Sequence, residues 1–333
     1  MVNALRCYPG EGGKSTKVHR RILVLFPGSL GDVLCFLPAL RFICTANSEN
    51  TVEVVARGDG LPLAQRLPEV ARTLSLENST FAKLFSSPSS LNAEEEYFFT
   101  STDEIFSWFG QGRLKISEVF PQAEKGRVRS FAFFVGQEDC HATAYYLRCV
   151  GGDTLCCPSF VLKTEEKQWL DAYWQQCGWS ADSRILVLHP GSGGKKKRWA
   201  SEGFTQIAQW WVGRRNGKVL ILLGPAEEQE TDGWRLVGKV ESALSVGQVA
   251  ALLSRAETYV GNDSGVSHLA GAVGARGVVL FGPTHPQQWR PLGGALSVLQ
   301  NVSYRTEHSD VVGITLTEIP AEEVIATLIR MGV

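Results

Sequence analysis

Thr258-Tyr-Val-Gly-Asn-Asp-Ser-Gly-Val-Ser-His-Leu-Ala-Gly-Ala-Val-Gly-Ala-Arg-Gly-Val-Val-Leu-Phe-Gly-Pro283 reads as strand, polar turn, helix and strand. Tyr259 and Val260 lead into Gly261-Asn262-Asp263-Ser264-Gly265. That run suits a sharp turn, because glycine tolerates positive φ and Asn and Asp hydrogen-bond their own backbone. An alanine-rich helix follows over about 266–273, stopped by Gly274 and Gly277, and Gly277–Phe281 is a second apolar strand. In a parallel sheet such a turn aims the free N–H groups of a helix start out of the carboxyl edge, where phosphates bind. The plain alternative is a βαβ connection with Asp263 or Ser264 as N-cap.

The same strand–turn–helix start opens each half of the chain. Arg184–Leu188 repeats the Arg-Ile-Leu-Val-Leu of Arg21–Leu25. Pro190-Gly191-Ser192 follows one copy as Pro27-Gly28-Ser29 follows the other. Continuous apolar runs of this kind suit strands buried on both faces of a parallel sheet. The expected class is therefore α/β, with two doubly wound, Rossmann-like domains. A chain of 333 residues accommodates them.

Composition narrows the chemistry. A net charge of −1 provides no general basic field for nucleic acid. The eight cysteines form no C-x-x-C pair and no zinc spacing, and Cys35 and Cys44 fall in an apolar helical pattern, so a reducing compartment is expected. No apolar run approaches the ~20 residues of a membrane span, and the N-terminus has no apolar signal core. These features favour a cytoplasmic protein and leave a peripheral membrane contact open.

Along the chain, residues 1–19 read as a loose tail, and Thr51–Ala56 as the second strand. A helix between these strands places Val33, Leu37, Leu40 and Cys44 on one stripe, with Pro38 inside it. Leu84–Asn92 reads as a loop, Ala93–Phe109 as a helix or helix pair, Ser130–Val135 as a strand and His141–Val150 as a short helix. In the second half, Glu165–Cys177 is a helix with Trp169, Ala172 and Tyr173 on one side. Ser201 caps a helix bearing Phe204, Ile207, Ala208 and Trp211. Lys218–Leu223 is a strand, Ala226–Val237 a helix, Ser245–Arg255 a helix with a capping box, Leu296–Leu299 a strand and Ala321–Met331 a last helix.

Three turns fall at carboxyl ends of parallel strands: Gly28–Asp32, Gly191–Trp199 with Lys195, Lys196, Lys197 and Arg198, and Asn262–Gly265. Asp32 reads either as a helix-start carboxylate or as a base. The basic run reads as a solvated loop or a phosphate site. His189 suits a structural bond at a strand end. His268 reads as a phosphate contact or a cap, and Glu227 or Glu228 as a ribose acceptor. The Gly28…Gly31 pair lacks the third glycine of a dinucleotide fingerprint. There is no Asp-x-Asp, so cationic side chains and helix dipoles would stabilise a leaving group.

Four motifs then coincide. They are Ser29-Leu30-Gly31-Asp32 with Leu37-Pro38-Ala39-Leu40, His189-Pro190-Gly191 with Lys197-Arg198-Trp199, Gly224-Pro225-Ala226-Glu227-Glu228, and Asn262–Ala270 with Phe281-Gly282-Pro283-Thr284. In order and spacing they resemble the bacterial ADP-heptose:lipopolysaccharide heptosyltransferase family, glycosyltransferase family 9. The likeness is strong over 20–45 and 184–290 and weak over 57–180.

The resemblance implies a GT-B fold with two Rossmann-like domains facing a central cleft: 1–160 for acceptor, 161–315 for nucleotide-sugar, and a terminal helix in 316–333 packing back on the first domain. It implies inverting transfer from ADP-heptose to a lipopolysaccharide core precursor, with no metal or other cofactor, at the inner face of the cytoplasmic membrane. Asp32 matches the general base and Lys197 the lysine that stabilises departing ADP. Gly31, Ser192, Glu227, Glu228, Asp263, Ser264, Gly265 and His268 match donor-binding positions. The acceptor site finds no matching pattern; Arg57, Arg72 and Arg129 are its candidates. A transferase or epimerase using another nucleotide sugar, and a non-catalytic nucleotide-sugar-binding protein, are the alternatives.

Overall fold

The computed structural model describes residues 19–86, 91–109, 128–134, 139–300 and 319–333. Residues 1–18 of the expected tail therefore lie outside the described residues, as do 87–90 of the expected loop. Contacts divide the chain into two compact units, one from Met1–Gly28, Leu37–Val135 and Tyr146–Asp153, the other from Ser29–Phe36, Gly136–Tyr145 and Thr154–Val333.

The first unit holds five parallel strands: β1 (Arg21–Phe26), β2 (Thr51–Ala56), β3 (Val70–Ser75), β4 (Glu104–Ser107) and β5 (Val128–Ser130), in the order β3-β2-β1-β4-β5. β1 is central, and Ile22–Phe26 are all buried, as a run covered on both faces must be. α1 (Leu30–Thr45) follows it and passes unbroken through Pro38. Its first two turns group with the second unit and the remainder with the first.

Ala93–Phe109 corrects the sequence expectation. Only Ala93–Thr100 (α2) is helical, capped by Asn92 and Glu95, and the segment then turns into β4 beside β1. Ile105 and Phe106 are buried there, and Glu104 is paired with Arg129 at 2.8 Å. The strand expected at Ser130–Val135 starts two residues earlier and ends at Ser130, as β5, and Val135 lies outside the described residues. α3 (Ala142–Cys149) agrees with expectation.

The second unit holds six parallel strands: β6 (Ile185–His189), β7 (Lys218–Leu222), β8 (Lys239–Glu241), β9 (Thr258–Asn262), β10 (Arg276–Phe281) and β11 (Ala295–Gln300). Their order, β11-β10-β9-β6-β7-β8, is the doubly wound arrangement, reversing direction between β6 and β9. The longer helices of this unit after residue 154 are α4 (Thr164–Gln176), α5 (Ser201–Arg215), α6 (Val246–Arg255), α7 (Gly265–Ala272) and α8 (Ala321–Arg330). A core of Trp199, Phe204, Ile207, Trp211, Trp234, Val260 and Leu280 lies under them. Each fully buried side chain of this size contributes roughly 1.5–3 kcal/mol.

Several local expectations change. α4 buries Leu170, Tyr173 and Trp174, while Ala172 is exposed. The cap of α5 is Ala200, without a side-chain bond, and Ser201 is already inside the helix. The Ala226–Val237 segment is a 3-10 turn, Pro225–Glu230, followed by a short helix, Thr231–Arg235. The capping box of α6 forms as read, Ser245 and Gln248 bonding reciprocally at 2.9 and 3.2 Å. α8 buries Ala321, Val324 and Leu328 in the core shared with α5. Its apolar face packs within the second unit.

Candidate active site

The second unit gathers its polar side chains outside the carboxyl ends of β6 and β9, where the strand order reverses. His189 ends β6 and pairs in register with Gly261 on β9. Asn262, fully buried, ties the two following turns together. Its Nδ2 donates to the Pro190 carbonyl at 2.7 Å, and its Oδ1 accepts the Trp199 N–H at 3.1 Å.

Asp263 comes next and is 4% exposed. Its backbone N–H donates to the Leu280 carbonyl, and its carbonyl accepts Ser192 Oγ–H, both at 2.9 Å. Lys197 Nζ donates to Asp263 Oδ2 at 2.8 Å. Thr284 Oγ–H donates to the same oxygen. The basic run therefore divides: Lys195 and Lys196 are exposed, while Lys197 is drawn to the buried carboxylate. Arg198 binds Glu227 at 2.5 Å and Glu230 at 3.2 Å.

The cap of α7 is Ser264, whose side chain accepts the Ser267 N–H at 3.4 Å. This settles the choice left by the sequence, because Asp263 turns its side chain to Lys197 and Thr284. The first N–H groups of α7 start beside that carboxylate.

The start of α1 lies against the start of α7. A Cβ placed on Gly265 would sit 2.9 Å from Leu30 Cβ and 3.1 Å from the Gly31 nitrogen. A Cβ on Gly31 would sit 3.2 Å from the His268 ring. Only glycine allows this approach without displacing a helix. Asp32 is one residue further along. Its Oδ2 accepts the Ser29 N–H at 2.9 Å and Ser29 Oγ–H at 2.7 Å, so it fastens the first turn of α1. The contacts thus group Asp32 with the second unit, whereas the sequence assigns it to the first domain.

His268 is 5% exposed, and burial, ahead of repulsion from His141 and Lys197, pushes its pKa down to about 4. Cys35 Sγ lies 3.6 Å from its Nδ1. Burial pushes the Cys35 thiol up to about 12. A neutral thiol donating to Nδ1 leaves the imidazole proton on Nε2. His189 is likewise held neutral by burial, with a pKa near 4, and its Nδ1–H donates to the Leu222 carbonyl at 2.9 Å. That is the structural role read for it.

Glu227 is 3% exposed and occupies the gap between two glycine turns. Its Oε2 accepts the Gly224 N–H at 3.1 Å, and a Cβ on Gly191 would come within 2.6 Å of that oxygen. The side chain of Glu228 lies outside the described residues. The arginine candidates separate. Arg57 follows the carboxyl end of β2, whereas Arg72 faces Glu53 at 3.9 Å and Arg129 faces Glu104 within their strands. Among the described residues, no cluster of three metal-ligating groups occurs.

Sequence reasoning named Ser192, Lys197, Asp263, Ser264, Gly265 and His268, and the structure brings these together. It missed Asn262 as a strut, Arg198 as the partner of Glu227, and Thr284. Thr284 could have been inferred, since the turn after one parallel strand adjoins the turn after its neighbour.

Residues 155–312 match the family described as glycosyltransferase family 9 (heptosyltransferase). The chain is 21% identical to Escherichia coli lipopolysaccharide heptosyltransferase 2 over 85% of its own length and 88% of the relative's. A glycosyl transferase family 9 structure from Veillonella parvula superposes with a TM-score of 0.73 at 19% identity, covering 94% of this chain and 97% of that one. The E. coli ADP-heptose heptosyltransferase II structure gives 0.68 at 18%, covering 93% and 98%. The fold is GT-B, with two Rossmann-like α/β units.

Proposed function

With a glycosyltransferase family 9 (heptosyltransferase) domain over residues 155–312, this chain is a glycosyltransferase, and we propose that it transfers heptose from ADP-heptose to an anionic lipopolysaccharide inner-core acceptor. The observation that carries the reading is the close approach of α1 to α7. It sets the turn that carries the Asp32 carboxylate against the start of α7, just after Asp263, which holds a lysine suited to a diphosphate.

In this mechanism the N–H groups at Ser264 and Gly265 and the Lys197 ammonium bind the diphosphate. Asp263 accepts a sugar hydroxyl, and Glu227 accepts the ribose. Asp32 removes the proton of the acceptor hydroxyl as that oxygen attacks the anomeric carbon from the face opposite ADP. The bond to the diphosphate oxygen breaks, configuration inverts, and Lys197 neutralises the charge that develops on ADP. No metal is assigned a step. Arg57, Arg72 and Arg129 remain the proposed acceptor contacts. The enzyme works at the inner face of the cytoplasmic membrane as a peripheral protein; among the described residues no helix is long and apolar enough to cross a bilayer.

Turnover of ADP-heptose with a panel of truncated lipopolysaccharide cores tests the reading. Asp32→Asn keeps an acceptor for Ser29 and removes the base, so transfer should fall by about two orders of magnitude or more while ADP affinity stays close to wild type. Near-normal turnover in this variant would sink the base assignment. Lys197→Ala should weaken both ADP affinity and rate. A thermal shift with UDP, GDP or CMP in place of ADP would redirect the donor assignment.

A further inference from the structure

The Asp263 carboxylate is buried, yet all its hydrogen bonds among the described residues fall on one oxygen. Oδ2 receives both Lys197 Nζ and Thr284 Oγ–H. The two donors differ in freedom. Lys197 ends a flexible stem on a 3-10 turn, and about a third of its side chain is exposed (34%). Thr284 is held by its own backbone, because Gln300 Nε2, at the end of β11, donates to the carbonyls of Gly282 at 2.9 Å and Thr284 at 3.0 Å. One side chain thereby pins the turn that carries the hydroxyl.

We infer that Thr284 is a positioning residue for Asp263, and that Gln300 acts through it. The inference rests on the proposed donor site. When a diphosphate draws the Lys197 ammonium away, the Asp263 carboxylate would, without Thr284, be left buried with no partner among the described residues, which is costly for a carboxylate. The Thr284 hydroxyl stays in place, keeps Oδ2 paired, and fixes the plane of the carboxylate so that Oδ1 accepts from the donor sugar. Thr284 thus lets one lysine serve two anions in turn.

The test uses the full-length protein with ADP as binding probe and ADP-heptose as donor. Thr284→Val retains shape and loses the donor. It should raise the Kd for ADP and the KM for the donor about tenfold, with kcat reduced no more than about threefold. Thr284→Ser should restore both constants to within about threefold of wild type, since it returns the hydroxyl. Gln300→Ala should shift KM in the same direction, and the double variant with Thr284→Val should add little to Thr284→Val alone. Should the valine variant misfold, the Gln300→Ala and Thr284→Ser comparisons still decide. Unchanged constants in Thr284→Val, no rescue by serine, or additive effects with Gln300→Ala would overturn the role while wild-type ADP binding keeps the donor site standing. A wild-type chain that does not bind ADP removes the donor-site reading itself.

Discussion

Asp263 shows how one side chain can be both structural and chemical. Its backbone fastens β9 to β10 and the Ser192 turn, while its carboxylate waits between a lysine and a threonine. His189 stands at the other extreme, wholly structural and wholly buried. Its imidazole stays neutral in the fold down to about pH 4, whereas an unfolded chain protonates it near 6.5. Between those values the unfolded state binds the extra proton, so stability is full above about pH 6.5 and falls on acidification through this window. His268 acts in the same direction over the same range. His189→Asn offers an amide in place of Nδ1 and cannot titrate. The slope of unfolding free energy against pH should therefore decrease by up to about 1.4 kcal/mol per pH unit between pH 4 and 6.5. Urea melts at pH 7, 5.5 and 4.5 measure it, and a slope equal to wild type would show that burial does not hold the ring neutral.

At the scale of elements, the packing of α1 on α7 makes a demand that propensity alone would reverse. Alanine is the better helix former, yet Gly265→Ala puts a methyl 2.9 Å from Leu30 Cβ. It should cost about 1–3 kcal/mol through overpacking. Gly213, in α5, has nothing within 4 Å of an added Cβ, and Gly213→Ala should stabilise by about 0.5–1 kcal/mol. Chemical denaturation of the two variants should move in opposite directions; a parallel shift would remove the packing argument. The elements also show where sequence patterns carry information. β1, β6 and β10 were legible because continuous apolar runs suit a strand covered on both faces. β4 was not, since it has four residues, opens on an acid, and follows an aromatic helix with only a short turn between. β3 and β8 are edge strands with half-exposed, mixed sequences, so neither period dominates. The site was legible at turns that glycine and polar residues mark. Thr284 and Asn262 were harder to see, because their partners come from distant turns.

The whole molecule adds a feature that a linear division into domains conceals. Among the described residues, the core cluster under α5 and α8 is drawn entirely from residues after 184. That core should let a fragment of residues 154–333 fold. The candidate site is not so contained. Leu30 and Gly31 cover Gly265, Cys35 covers His268, and His141 Nε2–H donates to the Arg290 carbonyl at 2.8 Å; all four contributors precede residue 154. The fragment should accordingly show a single cooperative melt, but at lower temperature than the second unit has in the full chain. His268 would then lie open to water, and the turn that opens α7 would lose its cover. ADP should bind the fragment at least about tenfold more weakly, a difference of 1.4 kcal/mol. Amide exchange should rise at 264–268 and stay slow in β6, β7 and β9. A fragment that matches the full chain in ADP affinity and in protection at 264–268 would show that the donor turn is set by its own sheet, and that the close approach of α1 serves only to place Asp32.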